Sequence, residues 1–395
     1  MTVVGASLSG LYAARELRAQ GFDGRLVIVG DEPHRPYDRP PLSKDFLTGR
    51  ADEDRLALTD AEECAGLDAE WLLGIRARGL DARGPTVILD DGRTVSTDGV
   101  VIATGASARR LSGDGLLGVH TLCTVDDARA LRAELAAGQR RVVIGGGFIG
   151  AETASSCAAL GHDVTVVEAA PLPLLPQLGP DMAAVCAALH RRAGTCLVTG
   201  TGVAGFRRSG RASPGAVIGV KLSDGRTLPA DVVITGIGAA PNTGWLAGST
   251  LALSGGVLCD DGCVTGIPQV VAVGDVARAE GTRTEHWTSA TEQPRFAVGN
   301  LLAGRTVATL RSLPYFWSDQ YGARIQFAGR RQESDTVGIV EGALDDGGPA
   351  EGGSSPSMSV PAGRQRCSRS TAPVPSCASA VNLSRSEDPV ERATR

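Results

Sequence analysis

Aromatic residues make up only 4% of this sequence, and none of its nine cysteines forms a C-x-x-C pair. The cysteines are odd in number and scattered, so the pattern spells out neither a disulfide framework nor a zinc site. Cys259 and Cys263, spaced C-D-D-G-C, leave two readings open. One is a metal site, although no histidine or second cysteine pair completes it; the other is ordinary packing or surface residues. No apolar run approaches the length that spans a bilayer, and the chain opens on a strand signal, not on a basic-then-apolar leader. The cytoplasm is therefore the expected location. A net charge of −5 and the shortage of aromatics argue against a nucleic-acid binder.

Glycine and alanine are plentiful instead, as suits an α/β enzyme with many tight turns between strands and helices, and 395 residues allow two or three domains. The organising stretch runs from Arg141 to Glu168. An apolar run, Val142 to Ile144, stops at Gly145-x-Gly147-x-x-Gly150, and a helix-like segment then leads to a second β-branched run, Val164–Val167. This is a βαβ unit carrying a dinucleotide fingerprint. Gly145 permits the tight turn, Gly147 lets the backbone approach a pyrophosphate, and Gly150 lets helix and strand pack closely, while the helix N-terminus offers unpaired N–H groups to the anion. Glu168 lies about 20 residues on, where an acid accepts from a ribose 2′-hydroxyl. No basic residue follows it closely. The carboxylate would repel a 2′-phosphate, so the expected ligand is NAD, with NADH preferred over NADPH.

A second, weaker unit opens the chain. Val3 and Val4 lead into Gly5-Ala-Ser7-Leu-Ser9-Gly10, then a helical stretch, then Leu26–Val29. Ser7 replaces the middle glycine but is small enough to admit a phosphate; Asp31 stands in the ribose position, with Glu32 behind it as a second choice. Each unit is followed by a hairpin with an Asp-Gly turn, Val87–Val95 and Val220–Leu228. After each hairpin comes an apolar strand running into small residues, ending at Gly105 and Gly238. Two such units imply two nucleotide cofactors brought face to face.

Several stretches carry a resemblance: Pro36-Tyr-Asp-Arg39-Pro-Pro-Leu-Ser-Lys44, Ala103-Thr104-Gly105, Gly150-Ala-Glu152, Gly238-x-x-Pro241-Asn242, Val273-Gly274-Asp275, Glu285-His286-Trp287 and Pro314-Tyr-Phe-Trp317-Ser-Asp-Gln-Tyr321. Together, in this order, they resemble the FAD-dependent NAD(P)H:ferredoxin reductases of bacterial P450 and ring-dioxygenase systems, a family that includes putidaredoxin and rubredoxin reductases. The resemblance implies an α/β fold with two Rossmann-like FAD- and NAD-binding domains, the second inserted in the first, and a small α+β C-terminal domain. The expected boundaries are 1–105 and 228–302 for the FAD domain, 106–227 for the NAD domain, 303–346 for a truncated C-terminal domain and 347–395 for a tail.

The same resemblance implies roles. Gly5, Ser7, Ser9, Gly10 and Asp31 are expected around the AMP half of FAD, with Arg39 and Lys44 near its pyrophosphate and ring. Ala77, Ala103, Thr104, Gly105, Gly238, Gly274, Asp275, Glu285 and Trp287 complete the cofactor contacts. Gly145, Gly147, Gly150 and Glu168 serve NAD. Lys44 and Glu152, the expected catalytic pair, frame the place of hydride transfer, although a Glu in a first helical turn also simply suits the helix dipole. Ser289-Ala-Thr-Glu292 reads as a capping box opening the Trp287 helix. No metal is expected.

Disulfide reductases on this plan carry a reactive cysteine pair, and the first helix here holds none. Electrons are thus expected to pass from NADH to the flavin and singly to a ferredoxin-type carrier, a [2Fe–2S] protein feeding an oxygenase. Two alternatives are an NADH oxidase or rubredoxin reductase, and an impaired FAD/NAD-binding redox-sensing protein. An acidic ferredoxin would need a basic docking patch, for which Arg295, Arg324, Arg330 and Arg331 are the candidates. Four features depart from the family: Cys123 in place of an arginine, Ala108 in place of a proline, Pro294 one turn into the Trp287 helix, and a tail from about Gly347 rich in Gly, Ser, Pro and Arg. That composition predicts disorder or a shifted reading frame, leaving strands at Arg324–Gly329 and Thr336–Glu341.

Overall fold

A computed structural model describes residues 1–136, 140–210, 215–279, 281–310, 313–331 and 380–385. The chain divides into two compact units: Met1–Arg39, Glu53–Ser107 and Ala239–Pro314 in the first, Pro40–Asp52, Ala108–Gly238 and Tyr315–Arg395 in the second.

The first unit is built on a parallel five-stranded sheet in the order Val270–Ala272, Val100–Ile102, Thr2–Val4, Leu26–Gly30, Ala69–Leu73. Val3 pairs with both Ile28 and Val101, so even a three-residue opening strand sits in the middle of the sheet. Its neighbours are apolar without alternation because both faces are covered. On one face the helices Leu8–Ala19 and Trp287–Ala303 bury Leu11, Ala14, Leu17, Ala297 and Val298 against Val3, Ile28 and Val101. On the other, the meander Ala77–Asp81, Thr86–Leu89, Thr94–Ser96 buries Val87 and Leu89 against Val4, Val29 and Ile102.

The second unit repeats the plan. Its parallel sheet runs Val119–Thr121, Val232–Thr235, Arg140–Ile144, Asp163–Glu168, Cys196–Thr199, and a meander through Val217–Leu222 covers one face. The strand Val232–Thr235 corrects the boundary expected at residue 228. Its backbone pairs with Arg140–Ile144, which places it in the second sheet, and the first unit resumes only at Ala239.

From Tyr315 the chain forms a hairpin, Tyr315–Gln320 with Ala323–Ala328. Its two turn residues, Tyr321 and Gly322, both have positive φ (53° and 75°), the backbone that a tight right-twisted hairpin requires. A third strand, Ala380–Arg385, pairs antiparallel with Ala323–Ala328. The expectation of a tail without strands is corrected there: Val381 and Leu383 alternate onto the cluster of Phe316, Ile325, Phe327, Leu174 and Leu178. The expected strand Thr336–Glu341 lies outside the described residues.

Candidate functional site

In the first unit the strand Thr2–Val4 ends at Gly5, whose φ is +119°. A Cβ there would lie 2.1 Å from the Ala103 carbonyl oxygen, and one on Gly10 would lie 1.7 Å from the Gly5 carbonyl oxygen. Only glycine allows the turn and the close helix-to-strand approach. Ser7 then caps the helix Leu8–Ala19 through its backbone alone, leaving its hydroxyl beside Arg39 Nε at 3.5 Å. Arg39 also binds Glu32 at 2.7 Å, and the Tyr37 hydroxyl donates to the same carboxylate at 2.5 Å. Asp31, preferred from the sequence, is exposed and reaches Arg76 at 3.3 Å.

The strand Val270–Ala272 delivers Gly274 and Asp275 to the same sheet end. The Gly274 N–H donates to Gln293 Oε1 at 2.7 Å, and a Cβ on Gly274 would lie 2.3 Å from Ser9 Oγ, so both fit only as they are. Burial raises the Asp275 carboxyl to about 6, with the Glu285 charge adding to the rise. Glu285 itself is held by Arg283 at 2.6 Å. Thr104 and Asn242 exchange hydrogen bonds at 2.9 and 2.8 Å, and Gly105 accepts from Asn242 N. Trp287 Nε1 donates to Asp38 at 3.0 Å. Ala77 and Ala103 are buried packing residues at this level.

The helix Trp287–Ala303 begins two residues before Ser289, with His286 at its N-cap position, so the expected capping box is not formed. Ser289 is buried and takes a bond from Thr284 at 3.2 Å instead. Pro294 sits within this helix, which nevertheless continues to Ala303. Gln293 on Gly274 and the buried Asn300, bonded to Gly262, Val307 and Ala308, anchor it on both sides of the proline.

The second unit holds the stronger fingerprint. Gly145 (φ +100°) and Gly150 are forced, since added Cβ atoms would lie 2.2 Å from the Gly236 oxygen and 2.0 Å from the Gly145 oxygen. Gly147 is different: the nearest atom to its Cβ would be 4.0 Å away. The protein has no packing reason for a glycine there, and an open position at the helix N-terminus fits a pyrophosphate. Glu168 accepts from Gly146 N at 2.6 Å and Ala170 N at 2.7 Å, which fixes its carboxylate at the strand end. Gly238 closes the neighbouring strand with φ +92° and accepts from Arg109 N at 2.9 Å. The donor sets and the glycine-lined turns thus fit two dinucleotides, one per unit.

On the first turns of the helix Phe148–Ala159, Glu152 is buried and takes four donors. Lys44 Nζ (2.8 Å) and Ser43 Oγ (2.6 Å) donate to Oε2; Ser318 Oγ (2.8 Å) and the long Asp319 N–H contact (3.4 Å) go to Oε1. The sequence singled out Lys44 and Glu152 and missed Ser43 and Ser318. The only signal for Ser318 is its inward position in the alternation of Phe316, Ser318 and Gln320. Among the proposed docking arginines, Arg324 is engaged bidentately by Asp319 at 2.7 and 3.0 Å, so its charge is already paired, while Arg331 packs beside the Gly179 kink. Arg295 and Arg330 are exposed.

Comparison with known proteins agrees with this geometry. The profile of the family described as "Pyridine nucleotide-disulphide oxidoreductase" matches residues 1–294. The chain is 35% identical to putidaredoxin reductase CamA of Pseudomonas putida, covering 87% of this chain and 83% of that protein. It is also 35% identical to the ferredoxin–NAD(+) reductase component of the biphenyl dioxygenase system of Paraburkholderia xenovorans, covering 88% and 85%. The crystal structure of the covalent putidaredoxin reductase–putidaredoxin complex superposes with a TM-score of 0.81 at 34% identity, over 87% of this chain and 84% of that one. The chain belongs to the pyridine nucleotide-disulphide oxidoreductase family, on its ferredoxin reductase branch.

Proposed function

We propose that this protein is a cytoplasmic, FAD-containing NADH:ferredoxin reductase that passes electrons to a [2Fe–2S]-type carrier of a P450 or ring-hydroxylating oxygenase system. The observation that carries this reading is the pair of glycine-lined dinucleotide turns, one on each parallel sheet, in a chain with no C-x-x-C. Bound FAD would accept a hydride from NADH and return its electrons one at a time.

The chain's residues supply binding and orientation. Gly5, Ser7, Ser9, Gly10, Glu32 or Asp31, Arg39, Thr104, Gly105, Gly274, Asp275, Glu285 and Trp287 would hold FAD, and Gly145, Gly147, Gly150, Glu168 and Gly238 would hold NADH. The acid at Glu168, with no cation beside it in sequence, supports NADH over NADPH. Lys44 and Glu152 would orient the reacting rings: a largely buried, hydrogen-bonded ion pair is rigid, and rigidity at the reacting centre is what hydride transfer demands.

Anaerobic NADH should bleach the flavin of the purified protein. Cytochrome c should then be reduced only when a ferredoxin is added. Oxygen uptake without ferredoxin would instead identify an oxidase, and no bleaching would identify a binding protein without reductase activity.

A further inference from the structure

We infer that Ser318, backed by Gln320, is a positioning residue for hydride transfer: it fixes the Glu152 carboxylate and, through it, Lys44. The inference rests on the reading of Lys44 and Glu152 given above and adds to that pair a residue from the C-terminal hairpin.

The direction of each hydrogen bond follows from the donors available. Gln320 Nε2 donates to Ser318 Oγ at 3.0 Å, which occupies the hydroxyl as acceptor. The single Ser318 proton is then committed to Glu152 Oε1 at 2.8 Å. With Oε1 pinned, the carboxylate cannot turn about its last torsion, so Oε2 stays on Lys44 Nζ and Ser43 Oγ. Among the described residues Lys44 Nζ has one other anchor, the Pro40 carbonyl at 3.0 Å, which holds the ammonium but carries no counter-charge. Ser318 and Gln320 are fully buried, so water cannot replace the lost donor.

The framework for this relay is a matched pair of faces. Phe148, Glu152 and Ser155 lie at i, i+4 and i+7 on the fingerprint helix, on one side of it. They meet Phe316 with ring centroids 4.5 Å apart, Ser318 at 2.8 Å, and Tyr321 N at 2.7 Å from Ser155 Oγ. The hairpin thus touches the helix that carries the NAD fingerprint at three successive levels. Ser318 is the level that meets the buried charge.

The test uses the full-length holoprotein and the variants Ser318→Ala, Gln320→Leu, the double variant, Glu152→Gln and Lys44→Met. Anaerobic stopped-flow reads flavin reduction by NADH. Ser318→Ala is expected to slow reduction at saturating NADH about tenfold while KM moves less than about threefold. Gln320→Leu should act in the same direction, and the double variant should be no slower than Ser318→Ala alone, because both act through one bond. A second readout does not depend on turnover: Ser318→Ala should lower the thermal midpoint in the parent, and by much less in the Glu152→Gln background. Reduction within about twofold of the parent in Ser318→Ala, with Glu152→Gln and Lys44→Met both slow, would overturn the positioning role and leave the pair's role standing. Normal reduction in Glu152→Gln and Lys44→Met would overturn both.

Discussion

The Tyr321 hydroxyl oxygen lies 2.8 Å from His190 Nδ1, and the two rings meet edge to face with centroids 5.1 Å apart. The phenolic proton goes to Thr195 Oγ1 at 3.2 Å, so the imidazole donates from Nδ1 and its buried Nε2 has no partner among the described residues. Burial pulls the His190 pKa down to about 4, with the Arg191 charge adding to the fall. Above pH 6.5 the ring is neutral in both folded and unfolded chains and contributes no pH dependence. Below it the unfolded chain takes up a proton that the folded chain refuses, so stability should fall as pH drops from 6.5 towards 4. The loss should reach about 3 kcal/mol, the depression multiplied by 1.36 kcal/mol per pH unit. Denaturant unfolding at several pH values checks this. His190→Gln should remove that part of the slope, and an unchanged slope would contradict the assignment.

Breaking the Lys44–Glu152 pair should destabilise the fold. Both side chains are largely buried, 17% and 4% exposed, so Glu152→Gln leaves an ammonium without its counter-charge, at a cost of about 3 kcal/mol. The double change Lys44→Met with Glu152→Gln, which removes the unpaired ammonium while the amide oxygen still accepts from Ser318, should recover much of that stability without restoring flavin reduction. Unfolding curves set beside NADH bleaching separate the two effects.

Three glycines of one fingerprint should respond differently to alanine. Gly150→Ala drives a Cβ to 2.0 Å from a backbone oxygen and should cost about 3 kcal/mol or more. Gly147→Ala has open space and φ −71°, so the cost should stay near 1 kcal/mol, the penalty for alanine at an N-cap. It should nonetheless weaken NADH binding by about tenfold, since the methyl would occupy the pyrophosphate's place. Gly145→Ala should be the most disruptive, with both a positive φ and a clash at 2.2 Å. Binding titrations and thermal midpoints rank the three.

Glu168→Ala should erode the preference for NADH. The carboxylate is held by two backbone N–H groups, so its charge is fixed at the strand end where a ribose would lie. Removing it should weaken NADH by about tenfold and NADPH less, narrowing the ratio of their kcat/KM values. A ratio that does not change would move the specificity elsewhere.

The sequence by itself determined the two nucleotide-binding turns and the family. Those features are local: Gly145 must take a positive φ where its strand ends, and Gly150 leaves no room for a Cβ beside the carbonyl of Gly145 in the same turn. The residues around Lys44 and Glu152 were legible only in part. Both appear as motif positions, but Ser318 stands 166 residues from Glu152 and nothing in its local pattern announces the bond. Folding alone also decided that Val232–Thr235 joins the second sheet, that the Trp287 helix starts before Ser289, and that Ala380–Arg385 adds a strand. Each of these depends on which distant backbone or charge arrives to satisfy a buried group, and tertiary packing makes that choice where composition and periodicity cannot.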